Sequence, residues 1–200
     1  MTLKLNGSSS GSVSIDAPAT TTGGADLAYT LPNATTGGVI RTTTTPGAII
    51  QVLQAFKDDT YTRTSDTTST TITGLSQAIT MTSASNKVLI MATIQVACGT
   101  SYGSHVLNLV RGSTLIAQPA SAGNRTVGTI AVTPHANGTY PNAHAINYLD
   151  TPGAGTHTYA VQDMDGSGNN AIYINRTTDD TDNSGYSRLT SSLILMEVAA

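Results

Sequence analysis

The run from Asn86 to Gly99 constrains the fold most, because it is the longest apolar stretch of the chain without an internal proline or glycine. Its β-branched content, in a chain that otherwise breaks every few residues, predicts a central strand over 87–98. Alternate residues from Val88 to Cys98 form one continuous apolar face, as an inward-facing strand requires. The other face also carries apolar side chains, so we expect a further element, most simply a neighbouring subunit, to cover it.

The segment 188–198 is apolar on both faces in the same way. Leu193 and Leu195 point one way, Ile194, Met196 and Val198 point the other way, and only Glu197 interrupts. Such a strand would aggregate if it lay at an exposed edge. We therefore expect it to lie beside 87–98 in an inner sheet packed around a symmetry axis. The predicted trimer-interface residues are Leu89, Met91, Leu193 and Leu195.

Short strands separated by polar turns account for the rest of the chain after residue 48. No segment has a sustained 3.6-residue period, so the pattern predicts an all-β fold, a β-sandwich or jelly roll, and excludes an α/β fold. The predicted strands are 48–56, 61–64, 70–73, 77–82, 87–98, 105–111, 114–118, 126–133, 145–149, 156–162, 171–176 and 188–198.

Composition limits the partners of the chain. Charged residues make up only 10% of it and the formal net charge is -3, so we expect no nucleic-acid partner. The single cysteine, Cys98, excludes an intramolecular disulfide framework. The chain has no apolar core of signal-peptide length at its N-terminus and no membrane-spanning run, so we expect neither general secretion nor membrane insertion. A protein made inside a cell and used outside it, as part of a virion, fits these features.

Residues 1–48 differ in sequence pattern from the rest. They contain short pieces of alternating apolar and polar residues, separated by Gly, Ser, Thr and Pro. These pieces contain too few large apolar side chains to close a core of their own. They therefore need other copies of the chain or a docking surface on a larger assembly. The same composition is also typical of a disordered leader. The predicted pieces are 3–5, 12–15, 27–31 and 39–40.

Two stretches of this leader carry a resemblance to known proteins. Leu5–Ala19, with the sequence LNGSSSGSVSIDAPA, and Leu27–Pro32, with the sequence LAYTLP, resemble the N-terminal pattern of tail-fibre and other virion proteins from marine bacteriophages, especially those of cyanobacteria. The resemblance implies a virion location, a trimeric fibre or appendage, and contact with other virion proteins through residues 1–48.

A second resemblance covers most of residues 50–200. The motifs that carry it are SNKVLI at 85–90, LVRGS at 109–113, YLDTPG at 148–153, YAVQ at 159–162, IYINR at 172–176 and SSLILMEV at 191–198. In these motifs and their order the chain is similar to the compact trimeric jelly rolls of the tumour-necrosis-factor and complement-head superfamily, which implies a homotrimeric jelly-roll β-sandwich over 49–200. The chain departs from that pattern in having few aromatic residues, since it has no Trp and only Phe56 as phenylalanine.

Two acidic segments could bind ligands. Asp163 to Asn170 has carboxylates at alternate positions before a glycine, as a calcium loop requires, but Ile174 stands where the bidentate acid of an EF-hand would be. A hairpin turn between 156–162 and 171–176 explains the same residues, so we expect no metal there. The segment 178–183 is the denser acidic cluster, and it could hold calcium, hydrogen-bond a sugar, or form an exposed turn.

A long loop at 134–143 combines tyrosine with asparagine, which suits stacking on and hydrogen bonding to a sugar ring. A solvated or subunit-contacting loop has the same composition. The four histidines lie apart, with no local spacing that suits a metal site. The candidate binding residues are Asn137, Tyr140, Asn142, Asp179, Asp180 and Asp182.

Catalytic signatures are missing from the sequence. Spacing picks out neither a nucleophile elbow nor a carboxylate pair, so we expect neither an enzyme nor a cofactor. The sequence predicts a trimeric tail-fibre or appendage subunit that presents a jelly-roll head to a host surface, where a cell-surface glycan is a possible partner. The alternative is a capsid decoration or head-fibre protein that stabilises the shell. A polysaccharide-degrading tailspike and a free carbohydrate-binding module are further classes.

Overall fold

A computed structural model describes residues 2–6, 12–16, 46–64, 67–99, 105–121, 123–132, 140–166, 168 and 171–200. The chain divides into two compact units, Met1–Thr42 and Thr43–Ala200. Every regular element in the described part is a β-strand. None of these residues forms a helix with the length and hydropathy that crossing a membrane would need.

The described residues of the first unit form an antiparallel pair of strands. β1 (Thr2–Asn6) pairs with β2 (Ser12–Asp16) so that Thr2 is opposite Asp16 and Asn6 opposite Ser12. The predicted strands at 3–5 and 12–15 are therefore confirmed. The predicted pieces at 27–31 and 39–40 lie outside the described residues.

The second unit has two sheets in a sandwich-like arrangement, so the expectation of an all-β fold is confirmed. The first sheet runs in the order β3-β13-β6-β12-β4, with β10 on the free side of β6. The second runs in the order β5-β11-β7-β8, and β9 also pairs with β7. The strands are β3 (Ile49–Lys57), β4 (Tyr61–Arg63), β5 (Thr70–Thr80), β6 (Lys87–Cys98), β7 (His105–Arg111), β8 (Thr114–Ile116), β9 (Ile130–Ala131), β10 (Asn142–Asp150), β11 (Thr156–Asp165), β12 (Ile172–Ile174) and β13 (Ser191–Val198).

The central position of β6 is confirmed. This strand pairs with β13, β12 and β10. Its inward-facing residues from Val88 to Cys98 are all at most 3% exposed, as the alternating pattern predicts. The expected neighbour relation is confirmed as well, because Leu195 of β13 lies opposite Ile90 of β6.

Both sheets contribute to one core. Ile90 and Ile94 of the first sheet share it with Leu107, Leu109 and Tyr159 of the second, all fully buried. Close packing of this kind supplies most of the stability of a chain with so few charges and no disulfide.

The position of Leu193 and Leu195 corrects the predicted trimer interface. Both side chains are fully buried in the core of their own chain. Since they face the second sheet, no neighbouring subunit can reach them. The outward residues of β13 are instead Ile194, Met196 and Val198, each only partly buried.

Glu197 shares the inward side of β13 with the two leucines and is fully buried. Its Oε1 accepts hydrogen bonds from the Thr82 main-chain N at 2.8 Å, from Thr82 Oγ1 at 2.7 Å and from Asn86 Nδ2 at 2.7 Å. Its Oε2 accepts one from Gln51 Nε2 at 2.5 Å. Burial opposes ionisation, but the bonds from Asn86, Gln51 and Thr82 outweigh it and lower the pKa of Glu197 to about 2.

The structure corrects the predicted strands in two stretches and one predicted strand pairing. The predicted strands 70–73 and 77–82 are a single strand, β5, in which Gly74 has a φ of +88° and the pairing with β11 shifts register. A bulge of this kind, which glycine permits, looks like a turn in the sequence. Of the predicted strand 126–133, only Ile130–Ala131 is a strand. The predicted hairpin between 156–162 and 171–176 does not form, because β11 and β12 belong to different sheets.

Candidate functional site

The outward surface of the first sheet carries an apolar rung that crosses four of its strands. Val52, Met196, Leu89 and Leu149 are successive register partners on β3, β13, β6 and β10. Val52 is 54% exposed and Leu149 is 48% exposed. We define the outer apolar face by Ile49, Val52, Phe56, Leu89, Met91, Leu149, Ile194, Met196 and Val198.

Charge is nearly absent from this face. Within β3, β6, β10 and β13, Lys87 is the only charged residue that is not buried. From the spacing and rise of strands, four strands over eight residues cover roughly 500 Å². Gln54, Ser192, Thr93 and Asn147 share this area, so its apolar part is smaller. An apolar patch of a few hundred Å² is often functional in monomeric proteins.

The outward surface of the second sheet has a different character. Thr80 and Thr156 are exposed register partners whose hydroxyls lie 2.8 Å apart, and Thr158 is exposed beside them. The outward side of β7 is covered by the chain itself, since Gly128 packs so closely on Val106 that a Cβ there would lie 2.3 Å from the valine Cβ. The two outer faces of the sandwich therefore suit different surroundings, one apolar and one aqueous.

The two ends of the sandwich also differ. At one end, which we call the base, the chain enters the second unit: Gly47 N donates to Ala199 O and Ala199 N to Ala48 O, each at 2.9 Å. The connections at the base are 81–86, 112–113 and 151–155. At the opposite end, the tip, lies 175–190, the longest connection whose residues are all described. Long connections at one end of a rigid scaffold are where recognition residues concentrate in β-sandwiches.

Asn175 organises the tip. It is buried, with a φ of +61°, which asparagine tolerates better than most residues. Its Nδ2 donates to Lys57 O and Asp59 O at 2.9 Å, and its Oδ1 accepts a bond from Ser191 Oγ at 2.5 Å. Asn175 therefore ties the end of β12 to the β3–β4 turn and to the start of β13, and it fixes the root of the loop that follows.

That loop borders a solvent-open cavity of about 340 Å³. Its rim is held by Arg176, whose guanidinium donates to Thr177 O at 2.9 Å and Thr178 O at 2.6 Å, and by an antiparallel bridge between Arg176 and Arg188. We call it the tip cavity. Its lining residues are Asp180, Thr181, Asp182, Asn183, Tyr186, Ser187 and Arg188.

Asp180 is already neutralised within the tip cavity. Arg188 binds its two carboxylate oxygens through Nε at 2.8 Å and Nη2 at 2.5 Å, and Arg176 Nη1 lies 3.6 Å from Oδ2. A paired arrangement of this kind is the usual fork-like geometry of arginine and carboxylate. By contrast, the side chains of Asp182 and Tyr186 have no hydrogen-bond partner among the described residues. These two groups remain free to meet a ligand.

The structure separates the predicted binding residues. Asp180 and Asp182 line the tip cavity together, whereas Asp179 is exposed and does not line it. Tyr140 is 47% exposed before β10, and Asn142 is the first residue of that strand. The predicted loop 134–143 is therefore shorter at its C-terminal side, and Asn137 lies outside the described residues.

The other acidic segment does not form a loop site. Asp163 and Asp165 belong to β11 and point into the sandwich, both fully buried. Burial raises the pKa of Asp163, although Arg63 Nε, 2.7 Å from its Oδ2, opposes the rise. His105 Nε2 lies 3.9 Å from Asp165 Oδ2. Asp163 lies beside Arg63 and Asp165 beside His105 in the interior. The alternating acids in the sequence do not reveal this arrangement.

The described histidines lie on three different strands. His105 is buried in β7, burial lowers the pKa of His144 on β10, and His157 Nε2 lies 3.1 Å from Ala154 O at the base. His135 lies outside the described residues. Across the described ranges, no group of three His, Cys, Asp or Glu side chains is placed to hold a metal ion.

Sequence reasoning missed two sets of residues. Tyr186 and Arg188 complete the tip cavity, and the signal for them was the basic residue on each side of the acidic run. Val52 and Phe56 complete the outer apolar face, and their signal was the alternation of apolar and polar residues through β3. Comparison with known proteins adds no identification, since neither a family model nor a curated protein matches the chain.

Proposed function

We propose that the chain is a structural subunit of a virion, a homotrimeric tail fibre or appendage whose head attaches to a host surface. Its activity would be binding, without catalysis or a cofactor. The leader, residues 1–48, would contact other virion proteins, and the tip would face the host.

The observation that carries the proposal is the outer apolar face. A monomer would leave side chains such as Phe56, 58% exposed, and Met91, 40% exposed, in water. Burying them against other copies of the same chain stabilises the assembly at about 25 cal/mol per Å² of apolar surface. Because Lys87 is the only exposed charge in the four strands of this face, copies of it meet with little electrostatic conflict.

The difference between the two ends of the sandwich supports the appendage role. The described part of the second unit begins at the base, opposite the tip loops. A protein tethered at one end and presenting loops at the other can grip a particle and a host at once. Several copies acting together raise the avidity of weak contacts.

Strand order supports the jelly-roll part of the proposal. The chain passes from the first sheet to the second and back, with β3, β6 and β10 in one sheet and β5, β7 and β11 in the other. Such alternation between two packed sheets is characteristic of jelly rolls.

Multi-angle light scattering of the purified protein tests the assembly. We expect a species of three times the 20.5 kDa chain mass. Met91→Asp and Leu149→Asp place charges on the outer apolar face and should yield monomers, whereas Thr158→Asp on the other sheet should leave the trimer intact. A native protein of single-chain mass would refute the trimer.

Electron microscopy of virions labelled with an antibody to the second unit tests the location. Label on the tail or another projecting appendage is expected. Label distributed over the capsid shell would instead favour a decoration protein, and particles without label would refute the virion assignment.

A further inference from the structure

We propose that the tip cavity binds a neutral sugar unit, with Asp182 as the hydrogen-bond acceptor and Tyr186 as the stacking and hydrogen-bonding partner. This inference rests on the proposed function, since it names the ligand that the tip would present to the host. It also chooses between the two ligands that the sequence left open for the segment 178–183, calcium and a sugar.

The size of the tip cavity suits a small ligand. A volume of about 340 Å³ lies at the lower end of the range for small-molecule sites, about 300–1,000 Å³. A single pyranose ring with its substituents fits such a space, whereas a peptide helix or a duplex groove does not.

Charge in the cavity argues against an ion. Asp180 is bound by Arg188 at two atoms and approached by Arg176, so its negative charge is compensated. A calcium ion needs six or more oxygen ligands, and it would meet the guanidinium of Arg188 beside the one uncompensated carboxylate, Asp182. An anion would meet that carboxylate directly. A neutral ligand avoids both conflicts.

The remaining groups match the chemistry of a polyol. The Asp182 carboxylate accepts hydrogen bonds, while the hydroxyls of Thr181, Ser187 and Tyr186 both donate and accept, and all four lack a partner among the described residues. A sugar presents many hydroxyls that donate and accept in the same way. The half-buried ring of Tyr186 adds an apolar surface for the C–H face of a pyranose.

The position of the cavity agrees with this role. Arg176, which also lies over the Tyr173 ring at 5.1 Å, holds the rim through main-chain carbonyls. Asn175 anchors the loop to three strands of the first sheet. A site whose rim is fixed in advance loses less conformational entropy when it binds.

Saturation-transfer NMR with the full chain and a panel of methyl glycosides tests the proposal. Neutral hexosides should bind with a Kd on the order of 1–10 mM, as expected for about a dozen heavy atoms. A methyl uronoside should bind at least tenfold more weakly. Calcium chloride should neither bind the cavity nor compete with the hexoside.

Variants then locate the binding. Asp182→Asn and Tyr186→Ala should each weaken hexoside binding about tenfold, through the lost charge-assisted bond and the lost ring contact. Asp179→Asn is the matched control, because it neutralises an acid of the same loop outside the cavity, and it should leave binding unchanged.

Three results would overturn the inference. They are the absence of binding by any neutral hexoside, binding that both cavity variants leave intact, and calcium binding that Asp182→Asn abolishes. The virion assignment is tested separately: a labelled appendage without sugar binding refutes the cavity alone, and sugar binding by a chain absent from particles refutes the appendage alone.

Discussion

Replacing Glu197 by glutamine should remove a pH-dependent contribution to the stability of the sandwich. The amide keeps one acceptor oxygen for Thr82 and Asn86, but its NH₂ group then faces the Nε2 donor of Gln51. Two donors meet in a buried site, and one charge-assisted hydrogen bond is lost.

The magnitude follows from the depressed pKa. A shift from the ordinary value of 4.5 to about 2 corresponds to about 3 kcal/mol of stability. Because Gln51 and Thr82 are themselves partly exposed, solvent screening reduces this to about 2 kcal/mol. The folded-state pKa is lowered, so the contribution is present in full above pH 4.5 and is lost as the pH falls towards 2.

Urea denaturation of the native protein and of Glu197→Gln, at one protein concentration and several pH values, measures the difference. We expect the native protein to be more stable by about 2 kcal/mol at pH 7 and by about 1 kcal/mol at pH 3. The matched control is Asp58→Asn, which neutralises an exposed carboxylate without a hydrogen-bond partner in the described part of the chain and should change stability by less than about 0.5 kcal/mol.

Parallel pH dependence of the native protein and Glu197→Gln would refute the reasoning. It would mean that the carboxylate is neutral or solvated in the folded protein. Equal stability at pH 7 would lead to the same conclusion.

Two further predictions concern the core. Leu195→Ala should lower the free energy of unfolding by about 3 kcal/mol in urea titrations, because the side chain is fully buried between the sheets, and a loss below about 1 kcal/mol would contradict its core position. Cys98 is buried, and burial raises its pKa to about 11, so at pH 8 a thiol reagent should react only as fast as the protein opens. Complete labelling of folded protein within seconds would contradict that burial.

The sequence predicts strands well where local pattern decides. The bounds of β6 follow from a twelve-residue run without breakers, and those of β7 follow from the turn after Arg111. Prediction from the sequence fails where a glycine lies within a strand, as Gly74 does in β5. A positive φ in a bulge and a positive φ in a turn have the same local signature.

The alternation of residue types does not show which side of a strand faces the core when both sides are apolar. In β13 both sides are apolar, so the pattern alone leaves open whether Leu195 or Met196 faces the core. The decision depends on Glu197, whose partners Gln51, Thr82 and Asn86 come from distant parts of the chain. Placing Leu193 and Leu195 at a subunit interface was wrong for this reason.

The candidate site could also be predicted only in part from the sequence. The acidic run at 178–183 indicates where the loop lies. The kind of ligand the loop can bind depends on which of its carboxylates pairs with an arginine. Asp180 is bound by Arg188 and Asp182 is not, a distinction set by the fold of the loop. The buried acids Asp163 and Asp165 resemble a calcium loop only because the sequence does not show how far β11 extends.

The way β3 joins the sandwich has a mechanical consequence. β3 begins at the base and lies antiparallel to β13 along its whole length, from Ile49 opposite Val198 to Lys57 opposite Ser191. A pull on the start of β3 along the strand axis, with the tip held, would strain all the hydrogen bonds between the two strands at once. Rupture in that geometry demands more force than breaking the bonds one by one, so β3 would resist such a pull.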